Sequence, residues 1–123
     1  MNIDYYLTKE YSNPPCWEFV SDFYLREKSL ILENFTCENS PKEIAKAFRK
    51  SILSYKHKFD NVSSPDNDTI VLCSKHSDGL VTHVGIFLNG AILHCDGSVH
   101  IDDLASFKLQ YPHLSFYKLK ETS

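Results

Sequence analysis

What this sequence has little of limits the kind of protein it can encode. No run of apolar residues is long enough to cross a bilayer as a helix. The charge is nearly balanced, with 13 basic and 16 acidic residues and a net charge of -3, which argues against nucleic acid or an anionic membrane surface as a partner. The 123 residues contain no repeat and no low-complexity tract, so we expect one domain, residues 1–123.

The amino-terminal residues also lack a recognisable targeting signal. They have neither the basic segment nor the apolar segment of a secretory signal, so we expect synthesis in the cytosol without a signal peptide. Reduced thiols are favoured in that compartment. The sequence contains four cysteines that would otherwise allow two disulfides: Cys16, Cys37, Cys73 and Cys95.

Two segments in the first half of the chain have the marks of helices. Residues 14–25 are predicted to be helical because Asn13 is a good N-cap and Pro14 suits the first helical position. The second helix begins after Ser40, which forms a capping box with Glu43. The first helix has an apolar stripe at Phe19, Val20, Phe23 and Tyr24.

The second half of the chain has the pattern of a sheet. A polar loop at residues 61–68 is followed by apolar runs that predict strands at 69–73, 80–88, 91–95 and 114–119, with a short helix or turn at 101–108. Helices followed by strands predict an α+β protein, with amino-terminal helices packed on a mainly antiparallel sheet.

A tight turn at Asn89-Gly90 would set the register of the hairpin. With two turn residues, Gly85 faces His94 and His83 faces Asp96. Because side chains alternate across a sheet, His83 and His94 would then be diagonal neighbours on one face. Gly85 would leave space beside them.

Cys16 at the start of the first predicted helix completes a possible catalytic set. A helix amino terminus carries partial positive charge and spare N–H donors, which favour a thiolate and lower the thiol pKa. A cysteine nucleophile needs an adjacent base, and the base needs a third group that fixes its tautomer. His83 is the candidate base, and the third group is either His94 or Asp96.

These residues, in this order, resemble one family. Cys16-Trp17-Glu18-Phe19-Val20, then His83-Val84-Gly85-Ile86-Phe87-Leu88, then Ile92-Leu93-His94 are similar to the NlpC/P60 family of papain-like cysteine peptidases, over roughly residues 5–119. The resemblance implies a papain-like fold with Cys16 as nucleophile, His83 as base and His94 as third polar residue. It also implies that Tyr11 and the Cys16 N–H help to line an oxyanion site.

The function implied by the resemblance is hydrolysis of amide bonds in peptidoglycan stem peptides, with no cofactor and no metal. The short chain with Trp17 after the cysteine is similar to forms associated with bacteriophage tails. That likeness implies a place in the virion, with other tail proteins as partners.

Three other functions stay open from the sequence. The same residues would serve an acyl or thioester hydrolase, and a structural tail component would keep the fold without activity. A zinc site is the third. Its ligands would come from Cys73, His76, His83, His94 and Cys95, although Cys95 and His94 should point to opposite faces of their strand.

Overall fold

The computed structural model describes residues 1–12, 15–32, 41–55, 57–77 and 80–120. Within these ranges the protein is α+β, and none of the described helices is long and apolar enough to span a bilayer. The elements in chain order are α1 (Ile3–Leu7), α2 (Pro15–Lys28), α3 (Pro41–Tyr55), β1 (Phe59–Val62), β2 (Ile70–Ser74), β3 (His83–Leu88), β4 (Ala91–Cys95), β5 (Val99–Asp103), α4 (Leu104–Gln110) and β6 (His113–Leu119).

The six strands form one antiparallel sheet in the order β1-β6-β2-β3-β4-β5. Asn89 and Gly90 have φ values of 51° and 81°, the positive values that a primed two-residue hairpin turn requires. The predicted register is confirmed where Gly85 pairs with His94, Phe87 with Ile92 and Leu88 with Ala91, but the β3–β4 pairing ends before the predicted pair of His83 and Asp96. This register places the two histidine side chains on the same face.

The sheet has two differently covered faces. The α2 face carries the larger apolar cluster, in which residues of α1 and α2 pack on Val84, Ile86 and Leu93. The opposite face, which we call the α4 face, carries a smaller cluster in which Phe107 of α4 packs with residues of β2 and β4. Its fully buried members are Val71, Cys73, Ile92 and Phe107.

The predicted elements differ from the structure mainly at the sheet edges. Residues 101–108 were expected to form a helix or turn, but Val99–Asp103 pairs with β4 and α4 begins only at Leu104. Phe59–Val62 pairs with β6 and extends into the predicted loop. Edge strands bury little of their surface, so their side chains carry a weak apolar signal.

Of the helices, α2 runs from Pro15 to Lys28, one turn beyond its predicted end. The predicted caps Asn13 and Ser40 lie outside the described residues, as does Cys37.

Candidate active site

Two buried histidines form the centre of the candidate site. His83 begins β3, His94 lies on β4, and each is 8% exposed on the α4 face. The His83 Nε2 atom lies 3.0 Å from the His94 Nδ1 atom. Gly85 pairs with His94, and a Cβ at Gly85 would meet the Leu93 carbonyl oxygen at 2.8 Å. Glycine is therefore needed where the two strands approach beside the histidines.

Asp102 extends this pair, and the sequence analysis did not identify it. Its Oδ2 atom lies 2.5 Å from His94 Nε2. Asp102 belongs to β5, where it pairs with Ile92 and shares a face with His94. The alternation of Val99 and Ile101 with His100 and Asp102 is a strand signal that would have found it.

The hydrogen-bond partners indicate where the protons lie. A carboxylate only accepts hydrogen bonds, so His94 donates its Nε2–H to Asp102. Neutral His94 then has a lone pair on Nδ1, and His83 donates its Nε2–H to it. His83 therefore keeps a lone pair on Nδ1, the form that a general base requires.

Aromatic rings from the α4 segment hold both imidazoles. The Tyr111 ring stacks on His83 with centroids 5.2 Å apart and an interplanar angle of 12°. Phe107 meets His94 edge to face at 4.9 Å. These contacts limit rotation of the rings, so the hydrogen bonds between the imidazoles keep one geometry.

Cys16 lies in the first turn of α2, against the end of the β3–β4 ladder. The paired residues end at Gly85 and His94, and the N–H of the next residue on β3, Val84, is directed at the Cys16 sulfur. That N–H belongs to the peptide between His83 and Val84, so the thiol lies beside the backbone that carries the candidate base.

The sulfur and the His83 ring are not hydrogen-bonded in this structure. Cys16 packs in the α2-face cluster, whereas His83 projects from the α4 face. Within the described part of the chain, the His83 ring bonds to His94 and not to Cys16. An ionised Cys16 would raise the pKa values of Cys73 and Tyr111, which lie on the α4 face.

Burial dominates the electrostatics of Cys16. It raises the pKa of the thiol from 9.0 to about 12, against the backbone N–H groups of Val84 and Trp17, which lower it. The difference between 9.0 and 12 corresponds to roughly 4 kcal/mol, and a helix terminus contributes at most about 2 kcal/mol. The N–H of Trp17 in the first turn of α2 does lower the pKa of Cys16, as the sequence predicts, but burial outweighs it and the pKa stays above its ordinary value.

Burial affects His83 in the complementary direction. Desolvation, with the neighbouring His94, lowers the pKa of His83 to about 3. At neutral pH the free protein therefore holds a neutral thiol and a neutral imidazole rather than an ion pair.

The other two candidates occupy different environments. The Tyr11 hydroxyl donates to Asp22 Oδ2 at 2.6 Å, so in this arrangement its proton is not available to an oxyanion. Asp96 is exposed and accepts a hydrogen bond from His100 at 2.9 Å, and the pairing of β3 with β4 ends before it reaches Asp96. Of the two candidates for third residue, the structure places His94, not Asp96, in hydrogen-bond contact with His83.

The other described cysteines lie on both faces of the sheet, and Cys73 of β2 is the cross-strand partner of His83 on β3. Cys16, Cys73 and Cys95 are free thiols, with Cys95 on the α2 face and Cys73 on the α4 face. Across the described residues, no group of three or more His, Cys, Asp or Glu side chains is arranged to hold a metal ion.

Comparison with known proteins adds no information about function. No family model, no curated protein and no solved structure matches the chain.

Proposed function

We propose that the protein is a cysteine hydrolase of the papain-like NlpC/P60 type that cleaves amide bonds in peptidoglycan stem peptides. Cys16 is the nucleophile, His83 the base and His94 the residue that orients the base. The observation that carries this proposal is the N–H between His83 and Val84, which points at the Cys16 sulfur. It supports a meeting of thiol and imidazole at the end of β3.

The reaction starts from the neutral pair. As the Cys16 sulfur attacks the substrate carbonyl carbon, its proton passes to His83 Nδ1, and the carbonyl oxygen gains negative charge. The Cys16 N–H at the start of α2 donates to that oxygen. His83 then gives the proton to the leaving amine, which leaves an acyl-enzyme. Water attacks the thioester with His83 as base, and the acid and the free thiol are released.

The proposal requires the Cys16 sulfur and the His83 ring, which pack in clusters on different faces of the sheet in the free protein, to come into contact when substrate binds. Catalytic hydrogen bonds are often long before substrate binds and tighten only in the complex. The choice of substrate rests on the resemblance of Cys16, His83 and His94 to the family pattern, and a place among bacteriophage tail proteins rests on the short chain with Trp17 after the cysteine.

The test incubates the protein with purified peptidoglycan sacculi and measures hydrolysis as the release of new amino groups. We expect wild-type protein to release them. Cys16→Ser and His83→Ala should each lower kcat/KM by roughly 10³-fold or more, because nucleophile and base act as a unit.

Cys95→Ser is the matched control, because it removes another buried thiol from the same cluster. It should keep most of the activity. Hydrolysis by Cys16→Ser at the wild-type rate would end the proposal. A wild-type protein without activity on sacculi would remove peptidoglycan as the substrate and favour the structural tail component.

A further inference from the structure

We propose that Asp102 is a positioning residue of this site, which acts through His94 to keep the proton of His83 on Nε2 and the lone pair on Nδ1. The inference deepens the proposed function and rests on it for its catalytic meaning. The hydrogen-bond geometry itself does not depend on that function.

The argument begins with an ambiguity of the histidine pair. Two neutral imidazoles joined through Nε2 of His83 and Nδ1 of His94 share one proton along that bond. Either His83 donates to His94, or His94 donates to His83. In the second arrangement neutral His83 carries its proton on Nδ1 and is no longer a base at that atom.

Asp102 resolves this ambiguity. Its carboxylate lies 2.5 Å from His94 Nε2 and accepts only, so the proton of neutral His94 must be on Nε2. Nδ1 of His94 is then an acceptor, and His83 must be the donor. The tautomer of the candidate base is thus set by a carboxylate two hydrogen bonds away.

The burial of the two partners suits this role. The Asp102 side chain is 40% exposed, whereas the His94 side chain is 10% exposed. Part of the Asp102 side chain therefore remains in contact with water. The imidazole it orients is held in a dry environment, where the hydrogen bond is stronger than in water.

The chain around Asp102 supports the whole network. The next residue, Asp103, has its side chain turned to the α4 N-terminus, where it accepts the Ser106 N–H at 2.8 Å. The helix that it caps supplies Phe107, and Tyr111 follows. Consecutive residues thus orient His94 and start the segment that packs on both rings. This pairing of roles also provides a matched control at position 103.

The primary test measures tautomers by ¹⁵N NMR of the histidine rings at neutral pH, which needs no substrate. In the wild type, His83 and His94 should both show the Nε2–H form. Asp102→Ala and Asp102→Leu remove the acceptor, and both should give averaged nitrogen shifts that report a partial move of the proton to His83 Nδ1.

Two further variants sharpen this measurement. Asp102→Asn keeps an acceptor oxygen without the charge and should restore the wild-type pattern in part. Asp103→Asn makes the same change of charge one residue away and keeps a good N-cap; it should leave the pattern unchanged. Unchanged nitrogen shifts in both Asp102→Ala and Asp102→Leu would overturn the inference.

The catalytic meaning is tested with sacculi. Asp102→Ala should lower kcat by about 10-fold or more with little change in KM, because Asp102 acts on the base rather than on the substrate. If Cys16 and His83 are required but Asp102→Ala keeps the wild-type kcat, the inference fails and the proposed function stands. If the tautomers respond to Asp102 but no variant affects hydrolysis, the proposed function fails and the positioning of His83 stands.

Discussion

The two faces of the sheet are covered by different kinds of side chain. The α2 face is an apolar and aromatic interior in which Phe19 and Phe23 are fully buried and pack edge to face. On the α4 face, a smaller apolar cluster surrounds two buried histidines and leads to the half-exposed Asp102.

The difference indicates that the α2 face mainly stabilises the fold and that the α4 face carries the candidate site. Apolar burial provides most of the free energy of folding. The α2 face has the larger of the two buried apolar clusters. Buried imidazoles contribute little to stability and need partners. A fold that keeps three polar side chains in one hydrogen-bonded chain on its smaller core is typical of a site that serves a reaction.

The largest expected contrast is in stability. Phe19→Ala should lower the free energy of unfolding by about 3–5 kcal/mol, because it leaves a cavity among packed rings. Phe87→Ala on the α4 face should cost less than about 2 kcal/mol, since that ring is only partly buried. Urea unfolding of the two variants measures both values. Equal losses would contradict the proposed division between the faces.

The second contrast depends on pH. His83 has a folded-state pKa of about 3, below its ordinary value near 6.5, so the unfolded chain binds this proton first. The stability associated with neutral His83 is fully present above about pH 6.5 and is lost as the pH falls towards 3. Between pH 7.5 and 4.5, wild-type protein should lose roughly 2–3 kcal/mol more than His83→Gln. Parallel pH profiles in urea unfolding would show that His83 is not buried as a neutral ring.

A third prediction concerns the close approach of β3 and β4. Gly85→Ala brings a Cβ to 2.8 Å from the Leu93 carbonyl oxygen and 3.3 Å from the His94 Cβ, and a backbone oxygen cannot rotate away. We expect a loss of about 1–3 kcal/mol in stability from overpacking, with a shift of the His94 ring resonances. Gly90→Ala is the comparison at a site with open space, where the cost comes from its positive φ of 81°. Unchanged His94 resonances in Gly85→Ala would contradict the described packing.

The smallest effect is expected at Asp96. Its bond to His100 is exposed on both sides, so Asp96→Asn should change the free energy of unfolding by less than about 1 kcal/mol. The same variant should leave the nitrogen shifts of His94 unchanged, unlike substitutions at Asp102. A large effect on the His94 ring would restore Asp96 as a candidate for the third residue.

Much of the central structure was predictable because its signals are local. Asn89-Gly90 determines a turn type, the turn determines the register, and the register places His83 and His94 on one face. The apolar stripe that contains Phe19 and Phe23 predicts α2 in the same way, and both residues are buried.

The remainder depended on contacts that the sequence does not encode locally. Asp102 was missed because β5 is an edge strand that was read as a helix or turn. The Tyr11 hydroxyl donates its hydrogen bond to Asp22 only when α2 folds beside it. The pKa of Cys16 is raised by burial, which depends on the assembled core rather than on its position in α2.

The central claim is that Cys16 and His83 work as one unit. It is tested most directly by a double-mutant cycle on sacculi with wild type, Cys16→Ser, His83→Ala and the double variant. We expect each single variant to lose roughly 10³-fold or more in kcat/KM. The double variant should have a kcat/KM no lower than that of the less active single variant. Losses that multiply in the double variant, or full activity in either single variant, would contradict the account.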